Sequence, residues 1–224
     1  MRPEDAFRRV ETYDLVEYPF PSAIAQILSL KRLDLLHQKY PRPQTCTGDQ
    51  DTPIHKAFYH DFSRLRQLYE RFLREWVAPA YAEDLCVQRV PTFRVHYPKA
   101  KAIREFHRDS DYNHQVGTVN YWLPLTRAFS TNSVWLEIEP GAEEFRPIEM
   151  IPGQVLCFDA LRLKHGNHRN DTYMSRVSFD FRVIPLQHHR YINRKSVTKG
   201  IPLELGAYYM LLTKEGEFRN DYRA

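Results

Sequence analysis

The chain has 224 residues, 42% of them hydrophobic and 27% charged, with a formal net charge of +4. This is enough apolar material for one domain with a sizeable core, and no apolar run is long enough to span a bilayer. Basic residues are spread along the chain rather than clustered, which argues against nucleic acid as the partner. Cys46, Cys86 and Cys157 are scattered, with no Cys-x-x-Cys pairing, and the segment from Met1 to Phe7 lacks the apolar stretch of a secretory signal. Reduced thiols in a cytoplasmic protein are the expectation.

In chain order, Thr12 to Tyr18 reads as a short strand and Ser22 to Gln38 as a helix. Pro41 to Pro53, rich in Pro, Thr, Asp and Gly, reads as a loop. Phe58, Phe62, Leu65, Tyr69, Phe72, Leu73 and Trp76 then recur at steps of three and four. That spacing predicts an amphipathic helix with its aromatic stripe packed on a sheet. From Cys86 the period becomes two, with predicted strands at 86–96, 114–124, 134–139, 144–151, 154–158 and 173–184. Many short strands with no intervening helices predict a mainly β fold with flanking α-helices, of the sandwich or jelly-roll type. The expected division of the single domain 1–224 is a mostly helical buttress (1–84), a jelly-roll core (85–185) and a C-terminal extension (186–224).

His107 and Asp109 stand two positions apart, so on extended backbone both side chains point to one side and reach one ion. His165, from a later strand end, completes a set of two imidazoles and one carboxylate, which suits non-haem Fe(II) and leaves coordination positions open. Gly166 is expected to let the backbone turn tightly around His165. Among the other histidines, His168 lies in a polar turn, His188 and His189 follow the last long strand, and His96 and His114 are candidates only for lining the cavity.

Arg176, Ser178, Asp180 and Arg182 share one face of the strand 173–184, while Val177, Phe179, Phe181 and Val183 share the other. The polar face is expected to line a cavity and the apolar face to pack. Arg176 can grip a carboxylate through two parallel N–H···O bonds, with Ser178 adding a hydroxyl donor beside it. Together with the metal set, this anchor reads as an Fe(II)- and 2-oxoglutarate-dependent oxygenase that uses O2.

The segments Pro91-Thr-Phe-Arg-Val-His, Phe106-His-Arg-Asp, Asn120-Tyr-Trp-Leu-Pro-Leu-Thr, Asp159-Ala-Leu-Arg-Leu-Lys-His-Gly-Asn and Ser175-Arg-Val-Ser-Phe-Asp-Phe-Arg-Val resemble the Fe(II)/2-oxoglutarate oxygenases with a double-stranded β-helix core, a cupin-like jelly roll. The resemblance covers roughly residues 91–185. It is nearest to the small branch associated with aminoglycoside antibiotic pathways, which includes a streptomycin-cluster protein and the orthoester-forming oxygenase of hygromycin. It implies iron on His107, Asp109 and His165, and the C5 carboxylate of 2-oxoglutarate on Arg176 and Ser178. Asn120 and Thr118, on one strand parity, and Arg94 are further candidates for co-substrate contact.

The implied substrate is a small polar metabolite, an aminoglycoside intermediate, undergoing hydroxylation or oxidative ring closure. A polycation calls for carboxylates, and Glu137, Glu139, Glu143, Glu144 and Glu149 form a local acidic set, with Trp135 on the parity of Glu137. Asp111, close to the metal motif, is a further candidate. Two other readings stay open: a hydroxylase of a free amino acid or other small metabolite, using Arg94 or Arg182 for its carboxylate, and a non-oxidative metal-binding jelly roll. Oligomeric state and the role of 186–224 are open.

Overall fold

The computed structural model describes residues 7–43, 52–100, 106–191, 193–197 and 200–221. It has three layers: helices, a large sheet and a small sheet. The large sheet has eight strands, in the order β1 (Arg8–Thr12), β7 (Gln154–Phe158), β4 (Val119–Pro124), β9 (Arg176–Pro185), β2 (Leu85–Gln88), β10 (Tyr209–Leu212) and β11 (Phe218–Arg219), with β3 (Thr92–His96) also paired to β9. The small sheet runs β6 (Phe145–Ile148), β5 (Val134–Glu137) and β8 (His165–Gly166). The neighbouring pairs recorded in both sheets are antiparallel.

Alternation in the strands sorts the side chains between layers. Tyr121, Leu123, Val155, Cys157, Val177, Phe179, Phe181 and Val183 pack toward the helices. Trp122, Leu156 and Phe158 point the other way and meet Val134 and Leu136 of the small sheet in a second core. The helical layer comprises α1 (Phe20–Ile27), α2 (Leu36–Lys39), α3 (Pro53–His60) and α4 (Ser63–Phe72), the last continuing into a π turn at Leu73–Val77. Phe72 is its hub, in edge-on contact with Tyr13, Tyr18, Phe20 and Phe181 and stacked on Trp76. The predicted aromatic stripe is therefore core packing, although α3 and α4 are separate helices broken at Asp61-Phe62.

Several predicted boundaries are corrected. The first strand is Arg8–Thr12 rather than 12–18, because its partner β7 pairs Thr12 with Gln154 and Gly153 turns the chain away beyond. The helix expected over 22–38 stops at Ile27, where Ser29 takes a left-handed φ of 52°. The strand expected at 114–124 begins only at Val119. Those expected at 134–139 and 144–151 shorten to β5 and β6, and 173–184 becomes β9. Cys46 and most of the loop 41–53 lie outside the described residues.

The strand expected over 86–96 is split. Val87 pairs with Val183 and Thr92 with Asp180, so four residues (88–91) stand opposite two (181–182). This is a two-residue bulge ending at Pro91, which has no N–H to give the ladder. The large sheet also takes β1 from the N-terminal region and β10 and β11 from the C-terminal one, so Tyr209–Leu212 and Phe218–Arg219 are part of the sheet. Among the described residues, no helix is long and apolar enough to cross a membrane.

Phe72→Ala should cost about 3–5 kcal/mol, measured by urea unfolding, because the cavity it leaves is walled by five aromatic rings. A change within about 0.5 kcal/mol, as at surface sites, would contradict this packing.

Candidate metal centre

His107 and His165 exchange two backbone hydrogen bonds, His107 N–H to His165 O at 3.0 Å and His165 N–H to His107 O at 2.9 Å. Residues paired this way project their side chains to one face, and the two rings lie 4.5 Å apart. Arg108 is extended (φ −105°, ψ 150°), which carries Asp109 to the same side as His107, as the two-residue spacing predicts. Asp109 then opens a 3₁₀ turn, its N–H fixed by the carbonyl of Ala160 at 2.7 Å. One ligand atom from each of His107, Asp109 and His165 lies within 4.8 Å of the others.

Each group is set for an ion. The His165 ring donates Nδ1–H to the carbonyl of Leu163 at 3.2 Å, leaving Nε2 3.7 Å from Asp109 Oδ1. Burial lowers the His165 pKa, against the pull of Asp109, and so favours the neutral, ligating imidazole. Asp109 is buried; burial alone would push its carboxyl up, but Arg182, His165 and His114 hold it well below the usual range. The Arg182 Nε bonds Asp109 Oδ2 at 2.7 Å, turning Oδ1 toward His165.

Arg182 is the residue that sequence reasoning left without its role. Its guanidinium also reaches Asp180 Oδ2 and the Tyr208 hydroxyl, both at 3.3 Å, and Tyr208 in turn donates to Gln88 Oε1 at 2.9 Å. Arg94 closes on Asp180 from the opposite strand. Both arginines considered for a substrate carboxylate are therefore engaged by Asp109 and Asp180. The shared parity of Arg176, Ser178, Asp180 and Arg182 was the available signal. The contribution of Tyr208, from a distant strand, had none.

Two cavities meet at the metal set. A cavity of about 50 Å³ is lined by His107, His165, Asn120, Trp122, Asn167 and Arg176, among others. Arg176 is buried, donates to Ser178 Oγ at 2.9 Å, Asn132 O at 3.0 Å and Asn167 Oδ1 at 2.5 Å, and lies over the Trp122 ring at 5.6 Å. Asn120 Oδ1 is buried with no hydrogen-bond partner. On the other side of His107 and Asp109, a cavity of about 120 Å³ is lined by Arg89, Tyr112, His114, Arg182, Ser196 and Tyr208, among others. Arg94 borders both.

Other expected contacts fall elsewhere. Thr118 precedes β4 and spends its hydroxyl on the carbonyl of Gln115 at 2.7 Å. Glu137 is buried, accepts N–H groups from Gly141, Glu143 and Lys164 at 3.0 Å each, and pairs with Arg108 at 3.3 Å, so it knits a loop. Trp135 shares the strand parity of Glu137 and lies edge-on to His168, while Val134, of the other parity, lines the smaller cavity. Asp111 is exposed and accepts the Arg108 N–H at 2.9 Å. Gly166 has no positive φ and turns nothing. A Cβ there would meet Phe106 at 3.0–3.2 Å, so the glycine permits close approach.

No protein-family model matches the chain. It is 37% identical over 197 residues to the streptomycin biosynthesis protein StrG of Streptomyces griseus, a match covering 88% of this chain and 94% of that protein. Among solved structures, CytC3 with Fe(II) and alpha-ketoglutarate superposes with a TM-score of 0.54 at 15% identity, covering 99% of this chain and 91% of that one. The nickel complex of the non-heme monooxygenase ThoJ gives 0.51 at 14% identity, covering 95% and 82%. These likenesses show the fold, a double-stranded β-helix.

Arg182→Met leaves the buried carboxylates of Asp109 and Asp180 without their shared cation. It should cost roughly 3–5 kcal/mol in urea unfolding of the metal-free protein. Added divalent metal should restore part of that loss by supplying charge beside Asp109. An unchanged unfolding midpoint would show that Arg182 does not hold the carboxylate.

Proposed function

The chain belongs to the family of the streptomycin biosynthesis protein StrG, and from that premise we propose that it is an Fe(II)- and 2-oxoglutarate-dependent oxygenase acting on a small polar metabolite of an aminoglycoside pathway. The observation that carries this reading is the continuity of one small cavity from His107 and His165 to the buried guanidinium of Arg176.

The residues fit both groups. His107, Asp109 and His165 offer two nitrogens and one oxygen on one side, the donor set suited to Fe(II) with open positions. Arg176 and Ser178 would hold the far carboxylate of 2-oxoglutarate, and Asn120, whose Oδ1 has no partner, lines the same space. When bound, the metal and 2-oxoglutarate would let O2 act as the oxidant: one oxygen atom would enter succinate as 2-oxoglutarate loses CO2, and the other would provide the oxidation of an unactivated C–H bond.

The chain itself orients and shields. Arg182 fixes the carboxylate oxygen that faces His165, and Leu163 O fixes the ring tautomer of His165. Trp122, Val134 and Phe158 wall the co-substrate side with apolar surface and keep water from it. Arg94, held by Asp180, stands at the junction of the two cavities, where it is a candidate to contact co-substrate or product. Buried, unpaired Cys86 and Cys157 accord with a reducing, cytoplasmic setting.

The direct test is succinate formation from 2-oxoglutarate with Fe(II) and O2. Arg176→Ala should keep metal binding while weakening 2-oxoglutarate about 10- to 100-fold, the equivalent of losing one charge-assisted hydrogen bond of roughly 1.5–3 kcal/mol. Equal 2-oxoglutarate affinity in the variant and the parent would remove Arg176 as the anchor.

A further inference from the structure

The larger cavity beside the metal set carries the wrong charge for a bare polycation. Among the described residues lining it, Asp109 is the sole carboxylate, and it is committed to Arg182 and the metal position. The glutamates that a polyamine would need lie elsewhere: Glu137 is spent on a loop, Glu143 pairs with Lys164, Glu144 with Arg146, and Glu149 accepts the Ser130 N–H. Cations dominate the lining. Arg94 and Arg182 are neutralised by Asp180 and Asp109, which leaves Arg89 in excess.

Arg89 owes its position to the bulge at 88–91. Its N–H bonds Tyr208 O at 3.0 Å, continuing the β10 side of the ladder past the last pair with β9, and the residue lines the cavity. Bulges re-aim side chains in this way beside functional sites. The guanidinium is held by one donation to the carbonyl of Gly206, and among the described residues no carboxylate pairs with it. Gly206 (φ 82°) has no room for a side chain, since a Cβ would meet Asn220 O at 2.9 Å. The same cavity is lined by His114, whose Nδ1 is buried without a hydrogen-bond partner.

Resting on the oxygenase reading, we propose that the substrate bears an anionic group, a phosphate monoester or a carboxylate, and that Arg89 binds it. The remaining N–H fork of Arg89 suits a two-oxygen contact with either group. Such a substrate is a sugar or cyclitol carrying a negative substituent, not a free polyamine.

The test is calorimetric binding to protein loaded with Ni(II) and 2-oxoglutarate, using matched probes: glucosamine 6-phosphate against glucosamine, and glucuronate against glucose. The anionic member of at least one pair should bind about tenfold tighter or better, and which pair responds separates phosphate from carboxylate. Arg89→Gln should abolish that preference and Arg89→Lys retain part of it, with the Ni(II) spectrum and 2-oxoglutarate affinity preserved in both. Absence of any anion preference in the parent protein overturns the proposal, as does a preference that survives Arg89→Gln. Failure of the parent to bind 2-oxoglutarate would instead refute the oxygenase reading, since the probe comparison can still be made without it.

Discussion

A buried guanidinium, Arg182, sets the geometry on which the rest of this structure depends. It takes one oxygen of Asp109 and leaves the other facing His165. Removing two carboxylates and an arginine from water is costly unless every charge has a partner. Here the chain Asp109–Arg182–Asp180–Arg94 alternates sign from the metal set to the cavity junction. Strand β9 carries Arg176 at its start and Arg182 six residues further on, on a single face, about 20 Å apart. One strand thus places both the support of the metal carboxylate and the candidate anchor for the diacid, while its opposite face packs the aromatic core.

Much of this was legible in the sequence. The alternation from Arg176 to Val183 separates a polar from an apolar face by period alone, and the structure keeps that separation across a strand buried on both sides. The His107–Asp109 spacing works because Arg108 is extended, which the spacing assumed but could not guarantee. The pairing of His107 with His165 is non-local, so the order of motifs suggested it while only the fold produces it.

What was illegible has physical causes. Glu137 looked available because Trp135 shares its strand parity and a polycation calls for carboxylates, yet three backbone N–H groups draw the Glu137 carboxylate inward. Thr118 and Asn120 share a parity only if the strand reaches both, and β4 starts between them. The bulge at 88–91 hides in a run that alternates well except for Pro91. Tyr208 and the adjoining strand β10 are set by pairing with β2, more than a hundred residues earlier in the chain. On the proposed substrate side, the charge left over in the cavity lining is an arginine, Arg89, and not a glutamate.

The central claim is that one metal ion and one diacid share the cavity between His107, His165 and Arg176. A crystal structure of the protein prepared anaerobically with Fe(II) and 2-oxoglutarate tests it most directly. The account predicts iron bound by His107, Asp109 and His165, with the distal carboxylate of 2-oxoglutarate on Arg176 and Ser178. Iron bound elsewhere, or a diacid seated on Arg89 with Arg176 uncontacted, would contradict it.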